Sequence, residues 1–133
     1  MLPNEITLAV DEENDDITAD HIYTRYEEYL NRSVYIGPSH TLNAKNTLTC
    51  YRTYPKPNGN FKGVAKSALK FSTDITVEGV DGVSLLTAPI ILEVGTSLPV
   101  GTTPAQSLLM RQKGIALLDY DAIVALLMDS LMI

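Results

Sequence analysis

Three lysines, Lys62, Lys66 and Lys70, recur every four residues in the segment Phe61–Phe71. In an extended chain side chains alternate between faces, so these lysines share one side with Val64 and Ala68, while Gly63, Ala65, Ser67, Leu69 and Phe71 share the other. A row of ammonium groups on one face suits water or a polyanion, because lysines placed on phosphates release condensed counterions. Just upstream, Asn46–Tyr54 alternates in the same way and places Thr47, Thr49, Tyr51 and Thr53 together. Arg52 falls with Leu48 and Cys50 on the opposite face. A buried Arg is costly unless paired, so a bulge or register slip there would bring Arg52 inward among the hydroxyls. Between the two runs, Lys56 and Asn60 flank the strong turn signal Asn58-Gly59.

The charge around these residues is uneven. The 133-residue chain has a net charge of −6, which by itself argues against a nucleic-acid partner. Nine of its acids lie between Glu5 and Glu28, yet none occurs from Tyr29 through Thr73. That window holds seven bases: Arg32, Lys45, Arg52, Lys56, Lys62, Lys66 and Lys70. A basic middle sits inside an acidic whole.

Other chemistries find little support. His21 and His40 are far apart, and no Gly-rich phosphate loop, His-x-x-x-His or Gly-x-Ser-x-Gly pattern occurs. Glu27 and Glu28 are adjacent, so on a strand they point to opposite faces and cannot act as an acid/base couple. Asp11, Glu13 and Asp15 match the first positions of a calcium loop, but Asp16 stands where Gly is needed and Ile22 where Glu is needed. That run reads as a solvated turn between two strands. No catalytic residue, metal site or cofactor is expected. The single cysteine, Cys50, excludes an intrachain disulfide and reads as a small buried hydrophobe. No apolar stretch approaches the ~18 residues of a membrane span. Met1–Glu5 has neither a basic nor an apolar signal region, which points to a reducing cytosol and makes the sequon Asn31-Arg32-Ser33 a chance match.

The elements that must position the basic face form one α+β domain. Apolar residues make up 45% and charged residues 20% of the chain, an ordinary globular balance. Folded alone, such a chain would bury roughly two-thirds of its extended surface. Residues 1–30 read as an N-terminal hairpin, although Tyr23, Tyr26 and Tyr29 fit a helix about as well as a strand. Residues 33–98 read as an antiparallel sheet containing Ser33–Ile36, Asn46–Tyr54, Phe61–Phe71 and Leu85–Val94. Residues 103–133 change period. Thr103, Pro104 and Gln106 form a capping box opening a helix to about Leu118, and Asp121 caps a second helix, Ala122–Leu131. In residues 122–133 only Asp129 and Ser130 are not apolar. One surface face needs far fewer apolar residues, so the segment requires a partner, and a second copy is expected.

The order of these features resembles the coat protein of single-stranded RNA bacteriophages of the levivirus kind. The resemblance is carried by Tyr51-Arg52-Thr53-Tyr54-Pro55-Lys56-Pro57-Asn58-Gly59-Asn60-Phe61-Lys62-Gly63 with Lys66 and Lys70-Phe71. Ala88-Pro89-Ile90-Ile91, Pro99-Val100-Gly101-Thr102 and the helical Leu108–Leu118 and Ala122–Ile133 carry it further. It implies an N-terminal hairpin, a five-stranded sheet and two helices that cross onto the partner, giving an intertwined dimer with a continuous ten-stranded sheet. It further implies a capsid subunit of a T=3 icosahedral virion, assembled in the host bacterial cytoplasm. Expected partners are other copies of the chain, a genomic RNA hairpin whose binding represses replicase translation and seeds packaging, and one maturation protein. Thr47, Thr49, Tyr51, Arg52, Lys56, Asn60, Lys62, Lys66 and Lys70 are the RNA-binding residues it implies. The loop at about Asp74–Ser84 would distinguish shell conformers, with Asp74, Glu78 and Asp81 crowding at symmetry axes. A small dimeric cellular RNA-binding module that forms no shell is the alternative.

Overall fold

The computed structural model describes residues 2–128. Six strands lie in chain order in one antiparallel sheet: β1 (Glu5–Val10), β2 (Ala19–Tyr29), β3 (Arg32–Ile36), β4 (Asn46–Thr53), β5 (Val64–Glu78) and β6 (Leu85–Pro99). Helices α1 (Pro104–Leu118) and α2 (Asp121–Met128) follow. The expected continuation of the second helix to Leu131 lies outside the described residues.

The acidic run is a turn, as its composition predicts. Asn14 and Asp16 adopt positive φ, which short polar side chains tolerate. The Asp11 carboxylate accepts the Asp15 and Asp16 backbone N–H groups, each at 2.9 Å, and these bonds hold its pKa below the usual value. The ambiguous tyrosine segment is a strand, with a β-bulge between Arg25 and Glu27. The bulge reverses the alternation, so Tyr23 and Tyr29 lie on opposite faces of the sheet. Pairing of β2 with β3 makes the N-terminal hairpin continuous with the remaining strands.

One face of the sheet carries the core. Tyr23, Tyr35, Leu48 and Cys50 are buried, with Ile6, Leu8 and Phe71 against them. Tyr23 meets Phe71 edge-on, with ring centroids 5.8 Å apart, and the Tyr35 hydroxyl donates to the Pro3 carbonyl at 2.6 Å. Burial pushes the Cys50 thiol pKa up, consistent with an inert core cysteine.

Three boundaries differ from the sequence reading: both ends of β5, and the end of β6, which runs to Pro99 rather than Val94. The strand expected from Phe61 begins only at Val64. Asn58 and Phe61 pair across the Asn58-Gly59 turn, and the chain then kinks at buried Gly63, whose φ is +98°. A Cβ there would lie 2.7 Å from the Lys56 backbone, so the loop closes only on glycine. At its other end β5 runs on to Glu78, which places Asp74 and Glu78 in the strand and shortens the connection to Gly79–Ser84. Beyond Thr73, where β4 stops, β5 and β6 continue as a two-stranded arm.

The helix start matches its signals. The Thr103 hydroxyl accepts the Gln106 N–H at 3.3 Å, and the Gln106 side chain accepts the Thr103 N–H at 3.0 Å. Among the described residues neither helix has a buried one. The chain exposes 10539 Å², whereas a compact monomer of 14.6 kDa exposes about 6,900 Å². By itself it therefore buries about half of its extended surface rather than two-thirds.

Candidate nucleic-acid interface

The face opposite the core is defined by the register of β4, β5 and β6. Residues directly across an antiparallel ladder point the same way. Thr53 pairs with Lys66 and Lys66 with Ser97; Tyr51 with Ala68 and Ala68 with Gly95; Thr49 with Lys70 and Lys70 with Glu93; Thr47 with Ser72. Thr47, Thr49, Tyr51 and Thr53 thus share one face with Lys66 and Lys70. The small Ala68 and Gly95 leave a shallow hollow of ≈ 410 Å³ between the Tyr51 ring, Thr53, Lys66 and Ser97. Tyr51 and Lys66 are exposed, while Lys70, Thr47 and Thr49 are half-buried. Among the described residues the contacts between basic side chains and carboxylates are His21–Glu12 and Arg25–Glu28, so neither lysine is bound to a carboxylate.

Other expected residues lie elsewhere. The β4–β5 register runs without a bulge from Asn46 to Thr53, so Arg52 stays on the face of Leu48 and Cys50. It avoids an unpaired burial by being exposed: its guanidinium donates to the Tyr54 hydroxyl at 2.9 Å and stacks 5.0 Å from that ring. Lys62 precedes the Gly63 kink, so it does not continue the alternation of Lys66 and Lys70. Lys56 and Asn60 are exposed in the same loop. A larger hollow of ≈ 490 Å³ lies beside the β2–β3 turn, where Leu2, Cys50, Arg52 and Leu69 contribute to its walls. Its lining is mixed: Ser33, Cys50, Arg52 and Leu69 come from the core face, and Tyr29, Arg32, Tyr51 and Ala68 from the opposite one.

Carboxylates that a linear reading misses also belong to this face, among them Glu27 on β2 and Glu78 at the end of β5. Glu93 sits across from Lys70 on β6, and Asp74 extends the Lys66–Lys70 parity. Asp74 accepts the Lys45 N–H at 3.1 Å. An acid-free stretch of sequence is not an acid-free surface, because β6 enters from outside the window.

No group of metal-ligating side chains occurs among the described residues. No helix among them is long and apolar enough to cross a membrane.

No protein-family model matches the sequence, and no curated protein matches it. Solved structures do match. The virus-like particle protein of bacteriophage AVE019 superposes with a TM-score of 0.74 at 18% identity, over 95% of this chain and 94% of that one. The chain has the coat-protein fold of levi-like phages. The virus-like particle of Wenzhou levi-like virus 4 shares that coat-protein fold with a TM-score of 0.70 at 23% identity, over 92% of this chain and 83% of that one. The coat protein of bacteriophage EMS014 gives 0.63 at 16% identity, over 89% and 74%. At such identities the coat-protein fold is held by strand order, register and the trailing helix pair rather than by shared residues.

Proposed function

We propose that this chain is the capsid subunit of a single-stranded RNA bacteriophage, acting as an obligate dimer and binding genomic RNA on its basic sheet face. The observation that carries the reading is the unburied helix pair: a fold shared with virus-like particle proteins leaves α1 and α2 with no buried residue in the single chain. The exposed area exceeds that of a compact monomer by about 3,600 Å² per chain, so a dimer that covered it would bury about 7,000 Å² in total, at the large end of obligate interfaces. Joining two sheets edge to edge through β6 would make ten strands from β2–β6, with β1 at each rim. Each helix pair would then cover the partner's core face, where Leu69 and Val94 are half-exposed.

In this reading Lys66 and Lys70 neutralise phosphates, and Thr47, Thr49, Thr53 and Tyr51 meet unpaired bases. Arg52, Lys56, Asn60 and Lys62 would touch RNA only outside that face. A replicase-start hairpin is the RNA that the coat-protein resemblance favours, with translational repression and packaging as the consequences. A T=3 virion containing one maturation protein, assembled in the bacterial cytoplasm, completes the proposal. The role is structural and non-enzymatic.

Electron microscopy of the chain expressed alone tests this. Closed particles that carry RNA support the capsid reading. A small dimer that never forms particles would favour the cellular RNA-binding module.

A further inference from the structure

We propose that the β2–β3 hairpin carries a second RNA subsite, for an unpaired nucleobase, built from Tyr29 and Arg32 beside Tyr51; this rests on the reading of the sheet face as RNA-binding. Tyr29 pairs with Arg32, Arg32 with Tyr51, Tyr51 with Ala68, and Ala68 with Gly95. The five form one row across the sheet, on the face of Lys66 and Lys70. Tyr29 belongs to that row only because the bulge after Arg25 reverses the alternation of β2; without it the ring would point to the core face with Tyr23.

The row is built for stacking. The Arg32 guanidinium lies 4.6 Å from the centre of the Tyr29 ring, and a planar cation on an aromatic face leaves its other face open to a base. Tyr29 and Tyr51 are 51% and 38% exposed. No carboxylate among the described residues pairs with Arg32. The Tyr29 hydroxyl instead donates to Glu27 at 3.0 Å, which anchors the ring at its rim.

Glu27 decides the class of ligand. It lies across from Val34, on this same face and next to the row. Its negative charge repels a phosphate and does not repel the π-face of a base. The group that sits on Arg32 and Tyr29 is therefore a base, with its phosphate turned away from Glu27 and toward the lysines. A duplex, whose bases are already stacked, cannot use such a site. The row extends the hollow beside Tyr51 by two strands, about 10 Å at the usual strand spacing, enough for a single strand running out of a hairpin.

The test compares an unstructured single-stranded RNA of adenosine and cytidine with a blunt RNA duplex of equal phosphate count. Each is titrated by filter binding into the full chain, unassembled, across a salt series. Arg32→Ala and Tyr29→Leu should each weaken single-strand binding roughly 5- to 100-fold, the loss of one stacked base. The salt slope should barely move, and duplex binding should stay within about twofold of the parent. Tyr29→Phe should preserve binding, because the ring remains, and Arg32→Lys should not rescue it, because the planar face is gone. Equal losses on both RNAs with a full charge's drop in slope would make Arg32 a phosphate contact and overturn the subsite. Parent-like binding by Arg32→Ala and Tyr29→Leu, with weakened Lys66→Ala and Lys70→Ala, would overturn the subsite and leave the RNA-binding face standing. Unchanged binding in all four variants would remove both.

Discussion

Lys66 and Lys70 are the cations that the structure groups with hydroxyls and the Tyr51 ring, and each side chain has a different expected signature. If both lysines lie on phosphates, Lys66→Ala and Lys70→Ala should each reduce the slope of log affinity against log salt by about 0.7–0.9. Tyr51→Ala should cost roughly 1–3 kcal/mol of binding with little change in slope, because stacking releases few counterions. Filter binding of unassembled chain to a replicase-start hairpin across a salt series reads both quantities. Unaltered affinity and slope in both lysine variants would place the RNA elsewhere. Asp81 makes a separate point about the β5–β6 connection. Its carboxylate accepts Val83 N–H at 3.0 Å, Ser84 N–H at 2.8 Å and the Ser84 hydroxyl at 2.6 Å, which lowers its pKa to about 2. A depressed carboxylate stabilises the folded loop above its ordinary value of 3.8, and that contribution is lost as pH falls through about 2. From pH 5 to 8 Asp81 stays ionised and engaged. Amide exchange at Val83 and Ser84, corrected for intrinsic rates, should show the same protection at pH 5 and pH 8, and Asp81→Ala should abolish it. Protection that falls as pH rises would instead indicate carboxylates repelling one another between copies.

Among the elements, those announced by local chemistry formed where the chain predicted them. Thr103, Pro104 and Gln106 open α1, and the Asn58-Gly59 turn is present. Each depends on contacts within a few residues, which is why spacing alone reveals it. The kink at Gly63 and the bulge in β2 were not legible. Gly63 has a neighbour, Lys56, that only the folded loop brings near, and the bulge exists to satisfy pairing with β3. Gly63→Ala should therefore be costly although no side chain is lost. Backbone strain at positive φ alone is worth about 1–3 kcal/mol, and the Cβ would also meet the Lys56 backbone. A lowered urea midpoint in the unassembled chain checks this, with Gly59→Ala as the comparison. Gly59 also has positive φ but nothing near its missing Cβ, so it should lose less. An equal loss at both positions would mean that the close approach to Lys56 does not matter.

For the whole molecule the governing quantity is surface left uncovered. Leu108, Leu109, Ile115 and Leu117 in α1, and Leu126 and Leu127 in α2, are exposed in the single chain. At ~25 cal/mol per Å², uncovered apolar area of this extent drives association or aggregation. The β5–β6 arm adds to it, with Val80 and Val83 fully open near its tip and Leu85 and Leu86 behind them. Truncation after Asp119 removes α2 and its share of the proposed partner contact, so the product should be insoluble or unfolded. A soluble, folded monomer by sedimentation and circular dichroism would defeat the dimer.

The sequence by itself determined the α+β order, the acidic turn, the capped helix and the buried Cys50. Each follows from a local period or a local hydrogen bond. Tertiary pairing decided the rest. Register kept Arg52 with the core face, the Gly63 kink removed Lys62 from the lysine row, and β6 set Glu93 beside Lys70. The bulge carried Tyr29 to Arg32. A side chain's face depends on every kink and bulge between it and its neighbour, and those are set by strands remote in the chain.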